Sequence, residues 1–244
     1  MPEPFTTGPA GADALVICAH GTDDPEGRQT TLDIAAAAAA RLPDVRVSCA
    51  YVDVQEPSLD AEVARLVAAG RRVAVVPVLL TTGFHVRVDV GRAERAHPGH
   101  VASSGPLGPH PLLVEALRGR LLESGAAPDA TVVVAVAGSR REDAREAGLS
   151  VGAALAGRWV GPVSVGFLAA AEPLLPDAVA AARAASPGPV VVASYLTGRG
   201  FFHRLAGQAG GDVLTEPLAD HPALIDLVIQ RFHEASARLP PLNR

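Results

Sequence analysis

The chain is predicted to be an α/β protein made of two similar lobes, each a parallel sheet flanked by helices, related by internal duplication. Two observations carry this. Short apolar runs alternate with alanine-rich helical patterns, the signature of parallel strands joined by crossover helices. In addition, a set of short sequence pieces occurs twice in the same order, at an offset of about 111 to 118 residues, and such self-similarity fixes the architecture.

The strands read as residues 14–19, 45–52, 73–80, 131–136, 162–168 and 189–194. Each is predominantly apolar, as expected of strands covered on both faces. Residues 28–41 and 58–69 read as helices. In the second, Leu59, Val63, Leu66 and Val67 form the apolar face, Ser58 caps the start, acids occupy the first turn, and Gly70 stops it. The small, turn-rich stretch 123–129 divides the lobes, giving 12–124 as the first and 130–238 as the second, with 1–11 and 239–244 as tails.

The first half carries Ala19-His20-Gly21-Thr22, Gln55-Glu56-Pro57-Ser58-Leu59, Gly83-Phe84-His85, Gly105-Pro106-Leu107 and His110-Pro111-Leu112-Leu113. The second answers with Ala137-Gly138-Ser139, Glu172-Pro173-Leu174-Leu175, Gly200-Phe201-Phe202-His203, Glu216-Pro217-Leu218 and His221-Pro222-Ala223-Leu224. His20 is opposed by Ala137, which places the chemistry in the first lobe.

Composition excludes several classes. The chain has 244 residues, 48% of them apolar and 19% charged, with a net charge of −5. It is therefore globular, and it offers no basic footprint for nucleic acid or an anionic membrane. There is no lysine, which we ascribe to a GC-rich genome. No apolar run reaches the roughly 20 residues of a membrane span, and the first residues lack a leader's basic and apolar regions. The expectation is a cytoplasmic protein, with Cys18 and Cys49 as buried thiols; a disulfide between them on neighbouring strands is the alternative.

Ligands of open parallel sheets lie at the carboxyl ends of the strands. His20 follows the first strand, Glu56 the second, and Thr81-Thr82-Gly83-Phe84-His85 the third, so polar groups converge on one edge. Two readings of the histidines stand side by side. They share one divalent ion in an open site, or each caps a helix or bonds a backbone carbonyl. Glu56 binds substrate or satisfies the start of a helix. Gly21-Thr22 is a weak phosphate-loop candidate. His203 leans structural, and His110 and His221, repeated before proline, read as helix caps. Trp159, Tyr51 and Tyr195 read as packing residues.

Together, Ala19-His20-Gly21-Thr22, Glu56-Pro57-Ser58-Leu59, the stretch from Pro77 to Val86 and Gly105-Pro106-Leu107-Gly108-Pro109-His110-Pro111 resemble the CbiX/SirB sirohydrochlorin chelatases, class II chelatases that insert a divalent ion into a tetrapyrrole without ATP. The likeness spans nearly the whole chain, the second half matching the degenerate repeat of the long form. It implies a chelatase-like pair of Rossmann-like lobes and metal binding by His20 and His85. His20 is also the implied proton acceptor. Glu56, Leu80, Thr81, Thr82, Gly83 and Phe84 would contact the macrocycle. The ion, Fe²⁺ favoured over Co²⁺, would be a substrate, with no resident cofactor. Siroheme or cobalamin biosynthesis follows as the setting, and a monomer is expected. Asp23 departs from the family's arginine and removes a cation near a carboxylate-rich substrate; Arg28, Arg87, Arg140 and Arg199 are candidate substitutes. A non-catalytic tetrapyrrole or metal carrier, or an interaction protein on the same fold, is the alternative. A duplicated periplasmic-type binding protein would also have two α/β lobes, but the absent leader speaks against it.

Overall fold

The computed structural model describes residues 11–81 and 84–241, without the side chains of 84–87. The first repeat runs β1 (Ala14–Ala19), α1 (Pro25–Arg41), β2 (Arg46–Tyr51), α2 (Leu59–Ala68), β3 (Val73–Pro77), α3 (Phe84–Ala96), β4 (Val101–Ser103), α4 (Pro111–Glu123). The second runs β5 (Thr131–Val136), α5 (Glu142–Ala156), β6 (Val163–Phe167), α6 (Leu175–Ala185), β7 (Val190–Tyr195), α7 (Phe201–Gly207), β8 (Val213–Leu214), α8 (Pro222–Ala237). Each repeat forms a four-stranded sheet, ordered β2-β1-β3-β4 and β6-β5-β7-β8, and the pairings are parallel throughout.

The strands form where the uninterrupted apolar runs lie. β1, β3 and β5 are buried almost end to end. α1 begins one turn before the expected residue 28, because Asp24 accepts the Glu26 N–H and Pro25 takes the first helical position, where its missing N–H is not needed. α2 starts as read from the sequence, with the Ser58 hydroxyl accepting the Ala61 N–H.

Where strand order reverses, between β1 and β3 and again between β5 and β7, connections leave to opposite sides and open a crevice at the carboxyl ends. That topology positions the site. In each sheet the outer face is closed locally, by α2 and α3 in the first repeat and by α6 and α7 in the second. The inner faces are closed differently. α8 packs on β3 and β4, while α4 packs on β7 and on α5. Each repeat's last helix thus covers the other's sheet, and α4 and α8 pack on each other between them.

The core between the sheets is consequently continuous. It joins Leu15 and Ile17 of the first repeat to Val132 and Val134 of the second through Leu113, Leu117, Leu121, Leu224 and Leu227, all fully buried. Truncating any of these leucines to alanine costs about 2–5 kcal/mol. Arg120, buried on α4, donates from Nε to the Pro217 carbonyl at 2.8 Å and from Nη1 to Glu123 at 2.6 Å, and also pairs with Asp220.

Residues 1–10 and 242–244 of the expected tails lie outside the described residues. Their inner neighbours are packed. The Ala12 N–H donates to the Ser236 hydroxyl at 2.7 Å, Arg72 donates to the Gly11 carbonyl at 3.0 Å, and Leu239 is buried in the shared core. The two ends brace each other because β1 and α8 are neighbours through β3. The thiols of Cys18 and Cys49 are free. Trp159 is buried, with its indole N–H on the Ala130 carbonyl at 2.9 Å.

Candidate functional site between the two repeats

A cavity of about 550 Å³ opens between the repeats, within the range of small-molecule sites. Its walls are the carboxyl ends of the four central strands. Ala19 to Thr22 end and follow β1, Val78 to Thr81 follow β3, Val136 to Gly138 end and follow β5, and Tyr195 to Phe202 end and follow β7. Both switch points therefore face one space.

His20 is exposed on this wall, and its backbone carbonyl accepts the Asp53 N–H at 3.0 Å. The turn that presents it is tight. Gly21 has φ +99°, and a Cβ there would lie 2.0 Å from the Asp53 carbonyl oxygen. The matching Gly138 has φ +89° and stands 1.8 Å by the same measure from the Ala169 oxygen. The turn is thus identical in both repeats, and what differs is the side chain before it: an imidazole at 20, a methyl at 137. The Thr22 N–H is taken by Gln55 Oε1 at 2.8 Å, so this loop is built around its own side chains and not as a phosphate cradle. Asp23 pairs with Arg28 at 3.2 Å, and Arg28 Nε also donates to the Thr22 carbonyl at 2.9 Å.

Leu80 and Thr81 line the same cavity. Thr82 and Gly83 lie outside the described residues, as do the side chains of Phe84 and His85. By backbone, His85 is the second residue of α3, which follows β3, the direct neighbour of β1. The two histidine-bearing connections therefore leave adjacent strands at the same sheet edge. Among the described residues no group of three or more His, Cys, Asp or Glu could hold a metal ion.

Glu56 sits elsewhere. It is exposed, and Oε2 accepts the Ser58 N–H at 2.7 Å at the start of α2. Its counterpart Glu172 accepts the Leu174 N–H at 3.1 Å at the start of α6. Gln55, one residue earlier, is the side chain that faces the cavity. The sequence signal was the presence of Glu-Pro in both repeats, including the one whose Ala137 replaces His20.

Three other histidines are accounted for by local structure. His110 and His221 each accept an N–H two residues on, at 3.2 Å, capping α4 and α8. His203 on α7 bonds the Ser194 hydroxyl at 3.1 Å, and burial lowers its pKa. Tyr195, read from the sequence as a packing residue, packs in the shared core and also borders the cavity. It is almost fully buried, burial raises its pKa, and its hydroxyl has no partner among the described residues.

A family model described as CbiX matches residues 14–124 and 131–235, once per repeat. Sirohydrochlorin cobaltochelatase of Methanosarcina acetivorans is 29% identical over 77 residues, 31% of this chain and 59% of that protein's length. Among solved structures, SirB from Bacillus subtilis with Fe³⁺ superposes with a TM-score of 0.78 at 19% identity, covering 92% of this chain and 95% of that one. The sirohydrochlorin chelatase SirB of Bacillus subtilis subspecies spizizenii in complex with cobalt gives 0.74 at 19% identity, with the same coverage of 92% and 95%. CbiX, described as the terminal enzyme for biosynthesis of siroheme in denitrifying bacteria, gives 0.66 at 18% identity, covering 91% and 99%. The duplicated α/β architecture and the paired matches together establish that this chain belongs to the CbiX family.

Proposed function

We propose that this chain inserts a divalent metal ion into sirohydrochlorin without ATP, as an enzyme of siroheme or cobalamin biosynthesis. The observation that carries the reading is His20, exposed on the wall of a cavity that both sheets open at their switch points. Family membership and the curated cobaltochelatase relative support it.

Insertion releases two protons from the pyrrole nitrogens and strips water from the ion. His20 and His85 hold the incoming ion, because neutral imidazole suits Fe²⁺ and Co²⁺ alike and leaves coordination positions open. His20, when not bound to metal, accepts a pyrrole proton as a general base. Leu80 and Thr81, which line the cavity on the β3 side, contact the macrocycle, and Thr82, Gly83 and Phe84 are assigned the same task. Contacts that tighten only on a puckered ring lower the barrier by differential binding. The ion is a substrate, so no resident cofactor is needed. The core shared by the repeats supplies in one chain what a single repeat would need a partner for, which supports a monomer. No described helix is long and apolar enough to cross a membrane, and we assign the reaction to the cytoplasm.

The test is a spectroscopic insertion assay with sirohydrochlorin and Fe²⁺ or Co²⁺ in turn. Wild-type protein should speed metal-dependent absorbance change. His20→Ala and His85→Ala should each slow it by at least about 100-fold, and His203→Ala far less. Tetrapyrrole binding without faster insertion would replace this reading with that of a carrier.

A further inference from the structure

We propose that Arg199, Phe201 and Phe202 of the second repeat form the subsite that grips the macrocycle, the two phenyl rings against its flat conjugated face and the guanidinium against a peripheral carboxylate. The proposal rests on the chelatase reading and deepens it, assigning substrate grip to the repeat that lacks the histidine.

Phe201 and Phe202 are 64% and 39% exposed and line the cavity. Their rings meet edge to face, with centroids 5.4 Å apart at 68°. Nothing in the core asks for them. The inward side of α7 is made by Leu205 and Ala206, which pack on the second sheet. A single exposed apolar side chain needs no explanation, but an aromatic pair on a cavity wall offers a broad, rigid surface with little conformational entropy to lose.

The segment is also held in place from the opposite repeat. Gly198 lies so close to α1 that a Cβ there would stand 2.3 Å from the Thr30 hydroxyl. Gly200 has φ +138°, and its Cβ would stand 3.4 Å from the Asp24 carboxyl carbon. One helical turn on, Arg204 reaches Asp24 at 2.6 Å. The rings thus project from a base anchored on both sides of the cavity, and little ordering is left for binding to cost.

Arg199 lines the cavity beside them and pairs with Glu216 at 2.7 Å, both side chains more than half exposed. Ion pairs at such exposure contribute little, so a substrate carboxylate can engage this guanidinium readily. A planar fork is suited to that contact. It also supplies the cation that Asp23 denies the first repeat. Comparison of the repeats points the same way: where the first has Gly83-Phe84-His85, the second has Gly200-Phe201-Phe202-His203 with an added ring, its histidine turned onto Ser194.

The experiment is titration of metal-free sirohydrochlorin into the full chain, followed by its absorbance, with steady-state insertion and Co²⁺ binding measured in parallel. The Phe201→Ala/Phe202→Ala pair should weaken sirohydrochlorin binding roughly tenfold or more, and Arg199→Ala several-fold. KM should rise while kcat stays within about twofold, and affinity for Co²⁺ alone should not move. If wild type binds sirohydrochlorin and the variants bind it equally well, the subsite is wrong while the chelatase reading stands. If wild type fails to bind sirohydrochlorin at all, both fall.

Discussion

The Asp24 carboxylate lies 2.6 Å from the Arg204 guanidinium, joining the start of α1 in the first repeat to α7 in the second. The same carboxylate caps α1 through the Glu26 N–H, so one side chain both starts a helix and ties the repeats beside the cavity. Asp24→Asn keeps the cap and loses the ion pair; Asp24→Ala loses both and should cost about 1 kcal/mol more. The Arg204 hydrogen bond holds the Asp24 carboxyl below its ordinary 3.8. Its contribution is therefore complete above that value and fades as acid drives the pH down toward the folded pKa. Urea midpoints should show wild type ahead of Asp24→Asn at pH 7, with the gap narrowing as the pH falls below 3.8.

Gly21 and Gly138 make a matched pair of experiments. Alanine at either meets a carbonyl oxygen and an unfavourable backbone conformation, and each substitution should cost on the order of 2 kcal/mol in denaturant unfolding. Only Gly21→Ala displaces His20. Its insertion rate should fall at least about tenfold below that of Gly138→Ala, although the two lose similar stability.

Acid should also act through the histidines. His110, His203 and His221 are all lowered from the ordinary 6.5, by burial first, with Arg231, Arg199 and Arg120 respectively adding repulsion. Each favours the neutral ring in the folded chain. Their contribution is present above 6.5 and lost as pH falls below it, where the unfolded chain takes up protons more readily. The thermal midpoint should drop between pH 7.5 and pH 5. Replacing both capping histidines, His110→Asn with His221→Asn, should flatten that drop while keeping a capping acceptor at each helix.

The thiols should be inert in the folded chain. Burial pushes Cys18 up to about 12, with Asp89 adding to it, and Cys49 up to about 11 through burial and Glu62. Thiolate is the reactive form, so iodoacetamide at pH 8 should leave both unmodified by mass spectrometry in buffer and label both in urea.

The strands were legible because parallel strands buried on both faces are written as continuous apolar runs, and β1 and β5 coincide with theirs. β4 and β8 were not, being edge strands of three and two residues, too short to carry a pattern. The duplication was visible in the repeated motifs, with His20 set against Ala137, and so was the sheet edge at which the cavity opens. Gln55 escaped notice for a different reason. Which of two adjacent polar residues turns inward at Gln55-Glu56 depends on the turn before α2. The placement of α4 and α8 could not be read at all, since a turn-rich stretch at 123–129 marks where the chain bends and not which sheet receives the helix before it.

That exchange of closing helices makes the two halves mutually dependent. Severed at its midpoint, the chain would yield two fragments, each with one bare sheet face and one orphaned amphipathic helix. The pieces could reassemble only on each other, and the intact protein should melt in one step. Having merged so thoroughly, the second copy could lose its histidine without becoming expendable.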